Sequence, residues 1–227
     1  GYRWLSAKIT LDTGMVFSNP YAHKCCKIAG IKSQSKHYRY KKPGEPKRVY
    51  PNLLLAGLQV NGPMQFIVSD MTAFYVHGIY YELTLYMDLW NNEILSYALS
   101  TRRGDRMTYI FGLEELVELK KQFGEHKMVL HSDQGVVYAS KDFNQLLENY
   151  NITRSMSRAG TPTDNAAMEA INGWLKAEIF TDFHIIGDDI KSEIDAYITF
   201  FNEQRPAYSL GYLTPKQYRE HYRQTLR

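Results

Sequence analysis

Cysteine is almost missing from this chain: among 227 residues only Cys25 and Cys26 occur, and they are adjacent. Sequence neighbours are badly placed to bridge one another, and no third thiol is available, so a disulfide scaffold is excluded. Together with His23 and His37 they also lack the paired C-x2-C and H-x3–5-H spacing of a zinc site, and no zinc is expected. Long apolar runs are missing too, since nothing approaches the roughly 18–20 residues that a membrane helix needs. No charged-then-apolar leader opens the chain. These absences lead to the expectation of a soluble cytoplasmic protein with no membrane partner. What remains is ordinary globular material. Apolar residues make up 44% and charged residues 22%, which excludes a disordered chain and supplies one hydrophobic core, with or without a small appendage.

Acidic residues are scarce at one end only. Residues 1–50 hold eleven Lys/Arg against Asp12 and Glu45, a net +9, while the remaining 177 carry sixteen basic and twenty-two acidic side chains, a net −6. A basic arm on an acidic body points to a polyanion partner for the arm, because Lys/Arg clusters bind phosphates through counterion release. The acidic excess of the body then needs its own explanation.

Residues 3–30 carry a loose helical pattern with Gly30 as a plausible stop. From Lys32 to Lys47 the chain is basic and broken by Pro43-Gly44 and Pro46, which reads as a linker or DNA-contacting arm containing Lys41, Lys42 and Lys47, with Arg48 directly after it as a further DNA contact. The expected division is a basic helical segment over 1–62 and a second region over 63–227. Gln65–Asp70 is a short β-rich run ending at Asp70. Tyr80–Asp88 alternates, and Glu93–Ser100 resumes after the Asn91-Asn92 turn, so three strands form an antiparallel meander. Asp88 reads as a turn or cap residue, and the tyrosines at 80, 81, 86 and 97 as sheet packing. A helical period over about 105–123 stops at Gly124. A short buried-type strand follows at 127–130, then a helix at 140–149, a strand at 152–156, a helix at about 164–180, and one or two helices over 187–224. This order predicts an α/β fold, a mixed sheet with helices on its faces.

Three carboxylates stand where such a sheet converges. Asp70 ends the first strand, Asp133 follows the fourth, where Gly135 gives the backbone freedom to turn, and Glu169 lies on the helix introduced by Pro162, Thr163 and Asp164. Asp164 is a rival for the third position, but its place at the helix start favours capping. Converging carboxylates repel unless cations share them, and hard divalent ions with oxygen ligands, Mg²⁺ or Mn²⁺, suit them. Two such ions about 3.5–4 Å apart serve phosphoryl transfer.

Between Asp133 and Glu169 lie 35 residues, and the surroundings read His131-Ser132-Asp133-Gln134-Gly135, Ser155-Met156-Ser157-Arg158 and Asp164-Asn165-Ala166-Ala167-Met168-Glu169. With Val68–Thr72, Lys176-Ala177-Glu178, Phe201–Pro206 and Leu210–Pro215, and the opening Gly1-Tyr2-Arg3, they closely resemble the retroviral-integrase-like transposases of bacterial insertion elements, the group encoded by two overlapping reading frames. The resemblance spans nearly the whole chain. It implies a ribonuclease-H-like fold and a D, D-35-E triad of Asp70, Asp133 and Glu169 holding two Mg²⁺ or Mn²⁺ ions. It implies hydrolysis at element ends to free a 3′-hydroxyl, then attack of that hydroxyl on another DNA phosphate, without a covalent protein–DNA intermediate. Double-stranded DNA and a homo-oligomer on DNA are the implied partners, with nucleoid association in a bacterial cytoplasm. A plain metal-dependent nuclease and a non-catalytic DNA-binding relic are the alternatives.

Helix geometry adds candidates for DNA contact. Lys176, seven residues from Glu169, shares its face about 10.5 Å along the axis, suited to holding a phosphate or simply solvated. Asn165, one turn earlier, orients the glutamate, touches DNA or helps start the helix. Arg158 and the loop 159–162 flank the DNA or do not. His131 reads as a satisfied structural histidine or as a support for Asp133. The chain starts without Met inside a segment that the family extends upstream, so a fragment or processed product is expected.

Overall fold

Alternating apolar side chains between Phe66 and Ser100 build the antiparallel half of a sheet, β1 (Phe66–Val76), β2 (Ile79–Asp88) and β3 (Ile94–Ser100). The computed structural model describes residues 2–32, 49–124, 127–158, 161, 173, 178 and 189–225. The chain divides into two compact units, Gly1–Lys42 and Pro43–Arg227.

The first unit contains α1 (Tyr2–Thr13) and α2 (Asn19–Ile28). Ser18 caps α2 by accepting the Tyr21 N–H, and Pro20 occupies the first turn, where its missing N–H costs nothing. The Ser6 hydroxyl donates to the Phe17 carbonyl and the Phe17 N–H donates to Thr10 Oγ1 at 3.1 Å, which closes the loop between the helices. Both cysteines are free thiols.

The second unit is one five-stranded sheet in the order β3-β2-β1-β4-β5. β4 (Met128–Ser132) runs parallel to β1, and β5 (Ile152–Met156) parallel to β4, while α3 (Arg106–Lys120) and α4 (Lys141–Asn149) supply the crossovers. The two sheet faces have separate cores. Phe66, Val68, Leu83, Leu85 and Val129 pack under α5 (Ile190–Glu203), and Ile67, Tyr86, Met128 and Leu130 pack under α3 and α4. α6 (Pro215–Thr225) closes the described chain. No helix among the described residues is long and apolar enough to cross a membrane.

Two features differ from the sequence-based expectation. β1 does not end at Asp70 but continues through Val76 to the His77-Gly78 turn, both residues at positive φ. The polar Ser69, Asp70 and Thr72 mask the strand, although Met71–Val76 keeps pairing with β2 as far as Val76 opposite Ile79. Residues 49–60, read as part of the amino-terminal segment, pack on the sheet. The Leu53 N–H donates to Ser155 Oγ at 3.0 Å, the Met156 N–H donates to the Pro51 carbonyl at 3.3 Å, and Leu53, Leu54 and Val60 join the core beneath α5. This stretch covers β5, the strand that otherwise presents an open edge. The helix read over 164–180 lies outside the described residues apart from helical Gly173 and Glu178.

The β2–β3 turn carries buried charge. Asp88, 1% exposed, accepts the Met64 N–H at 2.7 Å and the Trp90 N–H at 3.0 Å, so it serves the turn as its sequence position implied. Nearby, Glu93 pairs with Arg219 of α6 at 2.7 Å. Burial pushes the Asp88 carboxyl up to about 6 and raises Glu93 as well. A folded-state pKa above the unfolded one means that the native protein holds the proton more tightly. The stability gained this way is complete below about pH 4 and is lost as pH rises through about 6. Urea unfolding of wild type and Asp88→Asn, which does not titrate, should therefore diverge by about 2 kcal/mol between pH 4.5 and 7, wild type losing the ground. Parallel pH curves would count against this reading.

Candidate active site

Parallel pairing places the first two carboxylates. Phe66 pairs with Val129, Ile67 with Leu130 and Val68 with His131. This register sets Asp70 two residues beyond Val68 on β1 and Asp133 two residues beyond His131, one past the end of β4, where neighbouring strands lie about 4.8 Å apart. β4 stops at Ser132 while β1 runs on, so Asp70 lies where β1 loses its parallel neighbour. A crevice beyond the carboxyl ends of parallel strands is where sites form in open sheets. Both charges act on one ring: burial first, and then the carboxylates of Glu82, Asp133 and Asp70, hold the Tyr109 hydroxyl well above its ordinary pKa.

Each carboxylate is oriented by backbone. Asp70 Oδ1 accepts the Met71 N–H at 2.8 Å, and Asp133 Oδ1 accepts the Gly135 N–H at 2.8 Å. Among the described residues nothing donates a hydrogen bond to Asp133 Oδ2. Gly135 owes its place to room rather than to the backbone freedom expected from sequence, for its φ is not positive. A Cβ there would stand 2.9 Å from Asp133 Oδ1 and 3.5 Å from the Tyr138 ring. Gly135→Ala should displace the Asp133 carboxylate and cut activity by about tenfold to a hundredfold at unchanged melting temperature. Full activity in the alanine variant would show that the carboxylate position is not critical.

A polar frame fixes the loop after Asp133. Arg154 on β5, 6% exposed, donates from Nη2 to Ser132 Oγ at 3.0 Å and to the Tyr138 carbonyl at 3.2 Å, from Nη1 to the Leu130 carbonyl at 3.2 Å, and from Nε to Asn144 Oδ1 at 3.2 Å. Burial lowers its pKa to about 10, so the guanidinium stays charged at neutral pH. Ser69 and Tyr138 share a hydroxyl–hydroxyl bond of 2.7 Å that ties the loop back to β1. His131 is fully buried, with Nδ1 2.8 Å from Ser155 Oγ and Nε2 3.0 Å from Ser157 Oγ, the geometry of a structural histidine. Sequence reasoning passed over Arg154, because an arginine within a strand ordinarily faces water. Its one sequence signal is a flanking set of small hydroxyl residues, Ser132, Ser155 and Ser157.

The other sequence-based candidates distribute unevenly. Ser132 pairs with Met156, and Arg158, exposed, follows two residues past the end of β5 as Gln134 does past β4. The Gln134 side chain donates to the Ser157 carbonyl at 3.0 Å and binds the two strand ends together. Glu169, Asn165 and Lys176, with Asp164, lie outside the described residues, as do Lys41, Lys42, Lys47 and Arg48. Glu178, nine residues after Glu169, is anchored on α5: it accepts the Tyr197 hydroxyl at 3.0 Å and pairs with Arg205 at 2.8 Å. Strand alternation puts Asp70 on this same α5 face, with Phe66 and Val68. Among the described residues no three His, Cys, Asp or Glu side chains form a metal-binding group.

This sheet order, with helices on both faces, is the ribonuclease-H-like fold of retroviral integrase cores. The catalytic core of HTLV-2 integrase, solved in complex with magnesium, superposes with a TM-score of 0.54 at 15% identity, covering 70% of this chain and 97% of that one. A chain of the simian T-cell lymphotropic virus intasome, in complex with the PP2A regulatory subunit B56 gamma, gives 0.60 at 17% identity over 94% of this chain and 70% of its own. Integrase core domain families match residues 60–162 and 150–215. InsK of insertion sequence element IS150 from Escherichia coli K12 is 32% identical over 224 residues, 96% of this chain and 77% of that protein. The transposase of insertion sequence element IS904 from Lactococcus lactis is 28% identical over 94% of this chain and 85% of its own length. The chain belongs to the family of insertion-element transposases built on an integrase core, enzymes of the polynucleotidyl transferase type.

Proposed function

We propose that this transposase cleaves and joins DNA strands at insertion-element ends through a site of Asp70, Asp133 and Glu169. The observation that supports the reading is the β1–β4 register, by which Asp70 and Asp133 each follow two residues after the last paired positions, Val68 and His131. The donor set suits hard divalent cations: carboxylate oxygens only, one of them, Asp133 Oδ2, taking no hydrogen bond from a described residue. Asp70, Asp133 and Glu169 would hold two Mg²⁺ or Mn²⁺ ions, which supply charge neutralisation and an activated oxygen for in-line displacement. The protein's own contribution is alignment. The Met71 and Gly135 N–H groups fix the two aspartates, and Arg154 fixes the loop behind Asp133.

Arg158, exposed just past the end of β5, contacts the DNA backbone, together with Lys176 and Asn165. Lys41, Lys42, Lys47 and Arg48 extend that contact from the basic stretch over residues 32–48. Joining two ends to a target requires at least two active subunits, so a homo-oligomer on double-stranded DNA is the working assembly, as the intasome likeness in fold encourages. The test is a Mn²⁺-dependent nicking and joining assay on supercoiled plasmid. Wild type should nick and join, and Glu169→Gln, which removes a charge at nearly constant shape, should do neither. Equal activity in both would remove Glu169 from the site. Nicking without joining would make the protein a nuclease.

A further inference from the structure

The β1–β2 hairpin runs past Asp70 to His77-Gly78, and β3 ends at Ser100 opposite Glu82, so the turn over 101–105 lies against the hairpin's protruding end. That turn is built on a buried acid. Glu82, 1% exposed, accepts the Gly104 N–H with both oxygens at 2.7 and 2.8 Å, the Asp105 N–H at 3.3 Å and the Tyr80 hydroxyl at 2.6 Å. From the other side the Ser100 hydroxyl donates to Asp105 Oδ2 at 2.7 Å and accepts the Arg102 N–H at 3.0 Å. The backbone bearing Arg102 and Arg103 is therefore fixed at both ends.

Arg103 is also held by its side chain. Its Nη2 donates to the Tyr75 hydroxyl at 3.1 Å, and its guanidinium carbon stands 4.8 Å from the centre of the Tyr80 ring. Tyr75 is 59% exposed, and both arginines face solvent. No described carboxylate forms an ion pair with either arginine. The oxygens of the nearest buried acid, Glu82, are already engaged by N–H and O–H donors. A surface arginine with no assigned partner ordinarily moves freely, whereas here stacking and a neutral hydrogen bond hold a full positive charge in one place without cancelling it. The Nε and Nη1 donors remain available for a planar, two-pronged acceptor, the geometry of a phosphate.

Position ties this platform to the catalytic pair. Tyr75 is five residues beyond Asp70 on β1, about 17 Å at about 3.3 Å per residue. That span matches about five nucleotides of duplex rise. The Tyr109 hydroxyl feels Glu82 and Tyr80 of the platform together with Asp70 and Asp133, so the two lie on neighbouring ground.

We infer that Arg102 and Arg103 form a phosphate clamp for the DNA backbone a few nucleotides from the reacting phosphate, with Tyr75 and Tyr80 as positioning residues for Arg103. The inference rests on reading Asp70 and Asp133 as the place where DNA reacts. Its test measures binding of the full chain to a fluorescein-labelled duplex by anisotropy across salt concentrations, alongside the plasmid-joining assay. Arg103→Ala should weaken binding about tenfold at low salt and reduce the slope of log K against log [salt] by about one, and Arg102→Ala with Arg103→Ala by about two. Tyr80→Leu keeps the charge, so it should weaken binding severalfold with the slope retained, an effect that loss of folding would not imitate. Melting temperatures should not change for the arginine variants. Wild-type affinity and slope in the double arginine variant, with joining that still depends on Asp133, overturn the clamp alone. No joining by wild type, with a slope that still falls in the arginine variants, overturns the catalytic reading and keeps the contact. A wild type that does not bind the duplex overturns both.

Discussion

Asp133→Asn protein should bind DNA and melt with wild type yet join strands at least about a thousandfold more slowly, roughly 4 kcal/mol of barrier. Asn keeps the shape of Asp, and its Oδ1 still accepts the Gly135 N–H that orients the wild-type side chain at 2.8 Å. What is lost is one negative charge, and on the proposed reading an amide donor would face the cations where a carboxylate oxygen stood. Because Asp133 is exposed, the exchange leaves the core untouched. Asp70→Asn should behave alike, with a somewhat larger structural effect since Asp70 is half-buried on the central strand. Raising Mn²⁺ should not restore either variant, because the defect lies in the donor set rather than in occupancy alone. Retention of a tenth or more of wild-type joining by Asp133→Asn would remove it from the reacting centre.

The place of Asp133 after a strand was legible in the sequence because it sits beside a strong local signal. Asp133 follows a short run of buried β-formers, read over 127–130, and β4 runs two residues further, to Ser132. β5 is readable for the same reason, its span of Ile152–Met156 matching the expected one. β1 was cut short because a polar Ser-Asp pair in mid-strand imitates a strand end; the register with β2 identifies it as continuous. Long-range packing was not legible at all. Nothing local in Tyr50–Val60 says that Pro51 and Leu53 bond to β5, since irregular backbone acquires its place only from the surface it covers. Tyrosine readings were correct as packing for Tyr86, whose hydroxyl donates to the Tyr109 carbonyl at 2.6 Å, and for Tyr81, stacked on Phe74. Tyr80 does more, because one ring face carries Arg103.

Arg154 is the least legible of the residues around the site and should carry the largest share of its stability. A guanidinium 6% exposed has given up most of its hydration, and burial alone lowers its pKa to about 10. Among the described residues no carboxylate bonds to it. Instead the charge is spread over the Leu130 and Tyr138 carbonyls, Ser132 Oγ and Asn144 Oδ1, with the Tyr138, Phe143 and Tyr50 rings within 5.9 Å of its carbon. Arg154→Met keeps the apolar bulk but strands those acceptors in a space without water. Each orphaned group costs about 1–3 kcal/mol. Neighbouring losses overlap, so a total of about 3–5 kcal/mol is expected, and with it a melting temperature lower by about 10 °C. Arg154→Lys retains a charge but cannot fork between Ser132 and Tyr138, so it should fall between the two. Chemical denaturation of the three proteins reads this directly; a methionine variant within about 1 kcal/mol of wild type would mean that the acceptors find other donors. Because the same guanidinium binds Ser132 and Tyr138 on either side of Asp133, joining should fall further than stability at a temperature where Arg154→Lys is fully folded. That excess would measure how far a buried cation, made for packing, also holds the loop after Asp133 in place.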